Sequence, residues 1–213
     1  MKENIIRKEI LKKYKNCNWI HRNFIAIRSN RDCFKIIEKE VPKIGIIIDL
    51  GCGHGYFSHF LALTSPNRKI IGIDDDISKI KVAKKFNDTK NLKFLAGDIR
   101  KVNIPPANAI VLLDVLFYLN DRDKEGLIKE IFKKLKKGGL LIIKESAFCN
   151  KFGILELNAR EALVTTFWRR KPCFIFFYRG IVFWKKFFKK FNFSKIAFKR
   201  PQGKGYVLIL AKK

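Results

Sequence analysis

Beyond residue 43 the apolar positions switch repeatedly between unbroken runs and a spacing of three to four, as strands alternating with helices would require. Five runs read as strands: Ile46–Ile48, K-I-I-G-I-D (69–74), N-L-K-F-L-A-G-D-I (91–99), A-I-V-L-L-D (109–114) and L-L-I-I-K-E-S (140–146). Helices are expected over Tyr56–Leu63, Ile77–Phe86 and Asp121–Leu135, the last ended by Lys136, Lys137, Gly138 and Gly139. The chain closes on S-K-I-A-F-K-R and G-K-G-Y-V-L-I-L-A-K-K, a strand-like pair. Ahead of Pro42, Ile5, Ile6, Ile10, Leu11 and Tyr14 repeat at helical spacing, and a second helix is expected from Asp32 to Glu40. Between those helices, Trp19 and Phe24 are readable as core. The alternation means an α/β fold.

The turn after the first run carries the densest chemistry. Asp49 ends the run, and Gly51, Cys52, Gly53 and Gly55 follow. Glycines there permit positive φ and let a ligand meet backbone where a Cβ would stand. A dinucleotide fingerprint would need its third glycine at position 56, which is Tyr56. Asp74 closes the second run, where a ribose-binding carboxylate belongs one β-α-β unit later. Asp75 and Asp76 come next, and Asp76 is expected to cap the following helix.

The segment D-L-G-C-G-H-G resembles motif I of the class I S-adenosylmethionine (SAM) methyltransferases. L-K-K-G-G-L-L-I-I and the V-L-F-Y-L-N-D that follows the fourth run fit the same family. The likeness implies a single Rossmann-like domain with helices on both faces of a seven-stranded sheet, order 3-2-1-4-5-7-6, strand 7 antiparallel. It implies SAM as cofactor and S-adenosylhomocysteine as product. Contacts would come from Asp49, Gly51, Cys52, Gly53, Gly55, Asp74, Asp75, Gly97, Asp98, Ile99 and Asp114. Residues 1–41 would form a helical lid, 42–146 the SAM-binding core, 147–191 an acceptor-side insertion and 192–213 a terminal hairpin.

Charge bears on the partner. The net charge of +27 favours polyanions, although the lysines are spread along the whole chain. Five cysteines, with no C-x-x-C pair, suggest neither a disulfide framework nor a metal site, and a reducing compartment. With no apolar leader or spanning run, a cytoplasmic protein is expected, with peripheral contact to an anionic membrane as a further expectation.

The acceptor is read from absences and aromatics. The N/D-P-P-Y/F/W run of amine methyltransferases acting on nucleic acid is replaced by D-V-L-F at 114–117, and Cys149 is poorly placed for a nucleophile. Phe177, Ile181, Trp184, Phe188 and Phe191 fall on one helical face, interleaved with Lys185, Lys186, Lys189 and Lys190. That face reads either as packing on the sheet or as an interfacial surface. C-F-I-F-F-Y (173–178) would wall an apolar pocket, with Glu156 and Arg160 paired or pointing into it. G-C-G-H-G-x-F-S, L-L-D-V-L-x-Y-L and I-K-E look more specifically like small methyltransferases of aryl-polyene and ladderane-type lipid synthesis. That likeness implies methyl transfer to oxygen of an aryl or acyl acceptor, carried on an acidic acyl carrier protein. Candidates for a base are His21, Tyr118, Lys144 and Glu145. An RNA methyltransferase, or a SAM- or RNA-binding protein without catalysis, is the alternative that charge suggests.

Overall fold

The structure, a computed structural model, describes residues 2–29, 33–146, 176–202 and 205–213. Cys149, Glu156, Arg160 and the first three residues of C-F-I-F-F-Y lie outside the described residues. Strands β1 (Gly45–Leu50), β2 (Arg68–Asp74), β3 (Leu92–Ala96), β4 (Ala107–Leu113), β5 (Leu135–Ser146), β6 (Lys195–Lys199) and β7 (Tyr206–Lys212) form one sheet, order β3-β2-β1-β4-β5-β7-β6. β1–β2 and β2–β3 are parallel; β7 runs antiparallel to β5 and β6. This is the expected order. The described residues cluster into two compact units, residues 1–103 with 107–109, and 104–106 with 110–213.

In the first unit, α1 (Lys2–Lys13) buries Ile6 and Ile10 and packs on α4 (Tyr56–Thr64). A helix the periodicity did not predict, α2 (Trp19–Ser29), follows, with the Asn18 side chain accepting from the Ile20 N–H. Its exposed face includes Trp19, 65 % accessible, so Trp19 is not core. The sequence misled there because α2 is anchored through His21, Ile25 and Ser29 rather than through its largest apolar residue. α3 (Cys33–Glu40) and α5 (Ile77–Lys85) stand where expected, and Asp76 caps α5 by accepting from the Ser78 and Lys79 N–H groups.

In the second unit, α6 (Asp121–Lys134) is capped by Asn120 and ends one residue before the expected Leu135. Lys136, Lys137, Gly138 and Gly139, expected to end it, fall in the first part of β5, with Gly138 at a φ of 74°. α7 (Ile181–Phe188) is shorter than its pattern; Phe177 and Phe191 lie outside it. Trp184, Phe187 and Phe188 are buried, so its apolar face belongs to the core rather than to an interface. Each such burial contributes about 2–3 kcal/mol. Lys185, Lys186 and Lys189 remain exposed.

Candidate functional site

The glycine turn is held by backbone bonds, to β2 and within itself. Gly51 and Cys52 donate to the Ile73 carbonyl at 2.7 and 3.0 Å, and Gly55 donates to the Cys52 carbonyl at 3.0 Å. Gly51, Gly53 and Gly55 all have positive φ. Two of these glycines are needed for opposite reasons. A Cβ on Gly55 would stand 2.3 Å from the Phe94 ring, whereas one on Gly53 would meet nothing within 4 Å. Gly55 is therefore demanded by packing, and Gly53 leaves open a space that a ligand can use. Gly55→Ala should lose about 2–3 kcal/mol of stability in urea titration, from strain plus overpacking. Gly53→Ala should lose about 1 kcal/mol, yet weaken ligand binding at the turn.

Two buried carboxylates face this turn. Asp74, at the end of β2, accepts from the Gly53 N–H at 2.8 Å and from the Asp76 N–H at 2.9 Å. Burial raises its pKa, against the opposing effects of Lys79 and the two N–H donors. Asp49 accepts from the Ser58 hydroxyl at 2.6 Å, a partner the sequence reading missed. Burial, with Asp74 nearby, pushes Asp49 up to about 7. Asp75 is exposed beside Asp74. After β3, Gly97 donates to the Asp74 carbonyl at 3.0 Å, and Asp98 is held by the Arg100 guanidinium at 2.6–3.1 Å. That bonding holds Asp98 below the usual carboxylate range, and Ile99 beside it is half-buried. The structure thus brings Gly51, Cys52, Gly53, Gly55 and Asp74 into one bonded constellation, with Asp49 buried near Cys52 and Asp74. His21 joins it through His54, Nδ1 to Nε2 at 2.7 Å.

The second unit holds the other candidates. Asp114, with φ 59°, follows β4; its N–H donates to the Lys144 carbonyl and its carboxylate pairs with Lys144 Nζ at 2.5 Å. Glu145 is buried and accepts from the Leu116 N–H at 3.0 Å. Burial, then Asp114, pushes its pKa up to about 8, so near neutral pH it is a neutral anchor for the loop after β4. Tyr118, half-buried, packs with Phe117 and Phe176, and Phe117 stacks on Tyr178 at 4.7 Å. The aromatic strip at 176–178 is held by Phe177 N–H to Phe117 carbonyl (2.7 Å) and by Lys124 Nζ to the Phe177 carbonyl (3.0 Å). Lys124, fully buried, and Arg179, forked onto Asp121 at 2.9–3.2 Å, gave no signal in the sequence beyond their charge.

Because Glu145 has its folded pKa raised from 4.5 to about 8, its contribution to stability is full below pH 4.5 and is lost as pH rises towards 8. Glu145→Gln keeps an acceptor for Leu116 and cannot ionise. Its melting temperature should fall less between pH 5 and 8 than that of the parent protein, measured by calorimetry.

Among the described residues no cluster of three metal-ligating side chains occurs, and no helix is long and apolar enough to cross a membrane. Residues 43–167 match the family described as a methyltransferase domain. A carboxy-S-adenosyl-L-methionine synthase of Helicobacter pylori (strain J99) is 33 % identical over 114 residues, 52 % of this chain and 46 % of the relative. One from Actinobacillus succinogenes is 28 % identical over 116 residues, 52 % and 48 % of the two chains. The match spans about half the length of these curated relatives. Human N-acetylserotonin methyltransferase in complex with SAM has a TM-score of 0.68 at 21 % identity, covering 97 % of this chain and 56 % of that one. A chain from the complex of the Haloferax volcanii Trm112 methyltransferase activator with a candidate methyltransferase has a TM-score of 0.67 at 16 % identity, covering 91 % of this chain and 95 % of that one. These solved structures share the fold.

Proposed function

The chain belongs to the class I SAM-dependent methyltransferase family, and from that premise we propose that it transfers the methyl group of SAM to a small aryl or acyl acceptor, at oxygen. The observation that carries the SAM half is Asp74, a carboxylate fixed at a strand end by Gly53 and Asp76 N–H groups beside the open face of Gly53. Its remaining acceptor capacity suits two ribose hydroxyls, and Asp49 suits the ammonium of the amino-acid end. SAM supplies an activated methyl on sulfur, so the residues need to orient the acceptor and exclude water. Tyr118 and Phe176, half-buried against the core pair Phe117 and Tyr178, favour a planar apolar acceptor. Lys144 pairs with Asp114 and Glu145 accepts from Leu116; Tyr118 stands among the aromatics Phe117 and Phe176, which favours it for contact with a planar acceptor. The exposed lysines of α7 favour an acidic carrier protein; with the apolar face of that helix buried, membrane insertion has little support.

A second reading, favoured by the 33 % identity to a carboxy-SAM synthase, is that the chain modifies SAM itself. Methyl-labelled SAM incubated with the protein and a cell lysate tests both. Label in lipid or carrier fractions supports the first reading, and label retained in an altered SAM supports the second. Label in RNA would overturn both.

A further inference from the structure

His54 sits in the middle of the glycine turn and is buried, and two elements from outside the turn converge on it. The Tyr14 hydroxyl, just beyond α1, donates to its carbonyl at 2.5 Å. His21, on α2, meets its ring, Nδ1 to Nε2 at 2.7 Å with the ring centroids 4.8 Å apart. Phe24, also on α2, packs on the same ring at 5.2 Å. We infer that His21 is a positioning residue for the cofactor: its bond to His54 ties α2 to the glycine turn, sets the turn's shape for SAM, and opens in acid. The inference rests on the cofactor reading above.

The chemistry of the bond gives its pH dependence. A ring nitrogen is either a donor or a lone-pair acceptor, so the contact needs one proton between the two nitrogens. The neutral pair satisfies this, and so does the pair with one added proton. When both rings are protonated, two N–H groups oppose each other and the bond is lost. The ionisable groups around the pair are Asp76 and Lys79, of opposite sign, at the start of α5, with Tyr14 and Cys52 on the segments packed against it. Burial holds His21 below the ordinary histidine range, with Asp76 opposing and Lys79 assisting. The bond is therefore intact near neutrality and opens only on the acid side.

Two substitutions separate this from a merely structural role. His21→Leu removes the bond at every pH. His21→Asn puts an amide, at once donor and acceptor, near the place of Nδ1, so its bond persists whichever way His54 is protonated. S-adenosylhomocysteine binding is measured by calorimetry from about pH 7.5 down to about pH 5. At the upper end His21→Leu should bind about tenfold more weakly than the parent, and His21→Asn within about threefold of it. On acidification the parent should lose affinity more steeply than His21→Asn. Asp49 titrates in the same window in all three proteins, so the profiles are compared as the ratio of parent to variant affinity at each pH, in which that common effect cancels. Parallel profiles for the parent and His21→Asn, or parent-like affinity in His21→Leu, would overturn the inference and leave the cofactor reading standing. No binding by the parent at any pH would overturn both.

Discussion

Asp74→Ala should bind SAM more than a hundredfold less tightly than the parent protein while remaining folded. The carboxylate does two jobs at once. It accepts the Gly53 and Asp76 N–H groups at 2.8 and 2.9 Å, and on the proposed cofactor reading the rest of its lone pairs would take the ribose hydroxyls. Hydrogen bonds to a charged group are worth roughly 1.5–3 kcal/mol each, so losing two such ligand contacts costs about 3 kcal/mol or more. At about 1.4 kcal/mol per tenfold, that exceeds a factor of 100. Asp74→Asn should not rescue binding, because one side of its amide would present N–H to a backbone N–H that already points there. Calorimetric titration with SAM reads the loss, and circular dichroism checks the fold. Near-parental affinity in Asp74→Ala would remove the main support for the cofactor reading.

Asp74 was legible in the sequence because it ends an apolar run at a fixed interval after a glycine turn, and strand ends in such sheets are where ligands bind. Gly97, Asp98 and Asp114 were named through the family likeness, which also gave the strand order. What the sequence left dark were groups whose roles depend on contacts distant along the chain. Ser58 stands in the turn's own helix, but only the fold reveals that its hydroxyl meets Asp49. His54 reads as a spacer between glycines, and its partners Tyr14, just beyond α1, and His21, on α2, lie 40 and 33 residues upstream. Lys124 reads as one more surface lysine on a basic helix, yet it is fully buried, with its Nζ on the carbonyls of Leu119 and Phe177. Period and composition cannot distinguish a lysine that snorkels to water from one that ends on carbonyls. Glu145 was a candidate base by residue type; that it is buried and anchors the Leu116 N–H only the fold reveals.

Arg68 is the largest case of this kind, and Arg68→Met should destabilise the protein by about 3–5 kcal/mol. In sequence it is the lead-in to a strand, next to Lys69, and nothing marks it out. In the structure it is completely buried, and its guanidinium donates to the carbonyls of Pro42, Leu61, Glu38 and Val41, to Thr64 Oγ1, and to the Glu38 carboxylate at 3.0 Å. It thereby ties the C-terminal ends of α3 and α4 to the start of β2. Methionine matches much of the volume and none of the donors, so the carbonyls would stay buried without their partner. Arg68→Lys should fall only slightly short of that loss, since an ammonium cannot reproduce a planar fork that serves so many acceptors. Glu38 is the smaller part of the effect. Burial raises its pKa, but bonds from Lys43 and Arg68 outweigh that and hold it low, and Lys43 remains after the substitution. Adding Glu38→Gln to Arg68→Met should therefore recover no more than about 1 kcal/mol. Urea unfolding of the parent and these variants measures the difference. Recovery of most of the loss in the double variant would mean that the ion pair, rather than the ring of carbonyls, is what Arg68 serves.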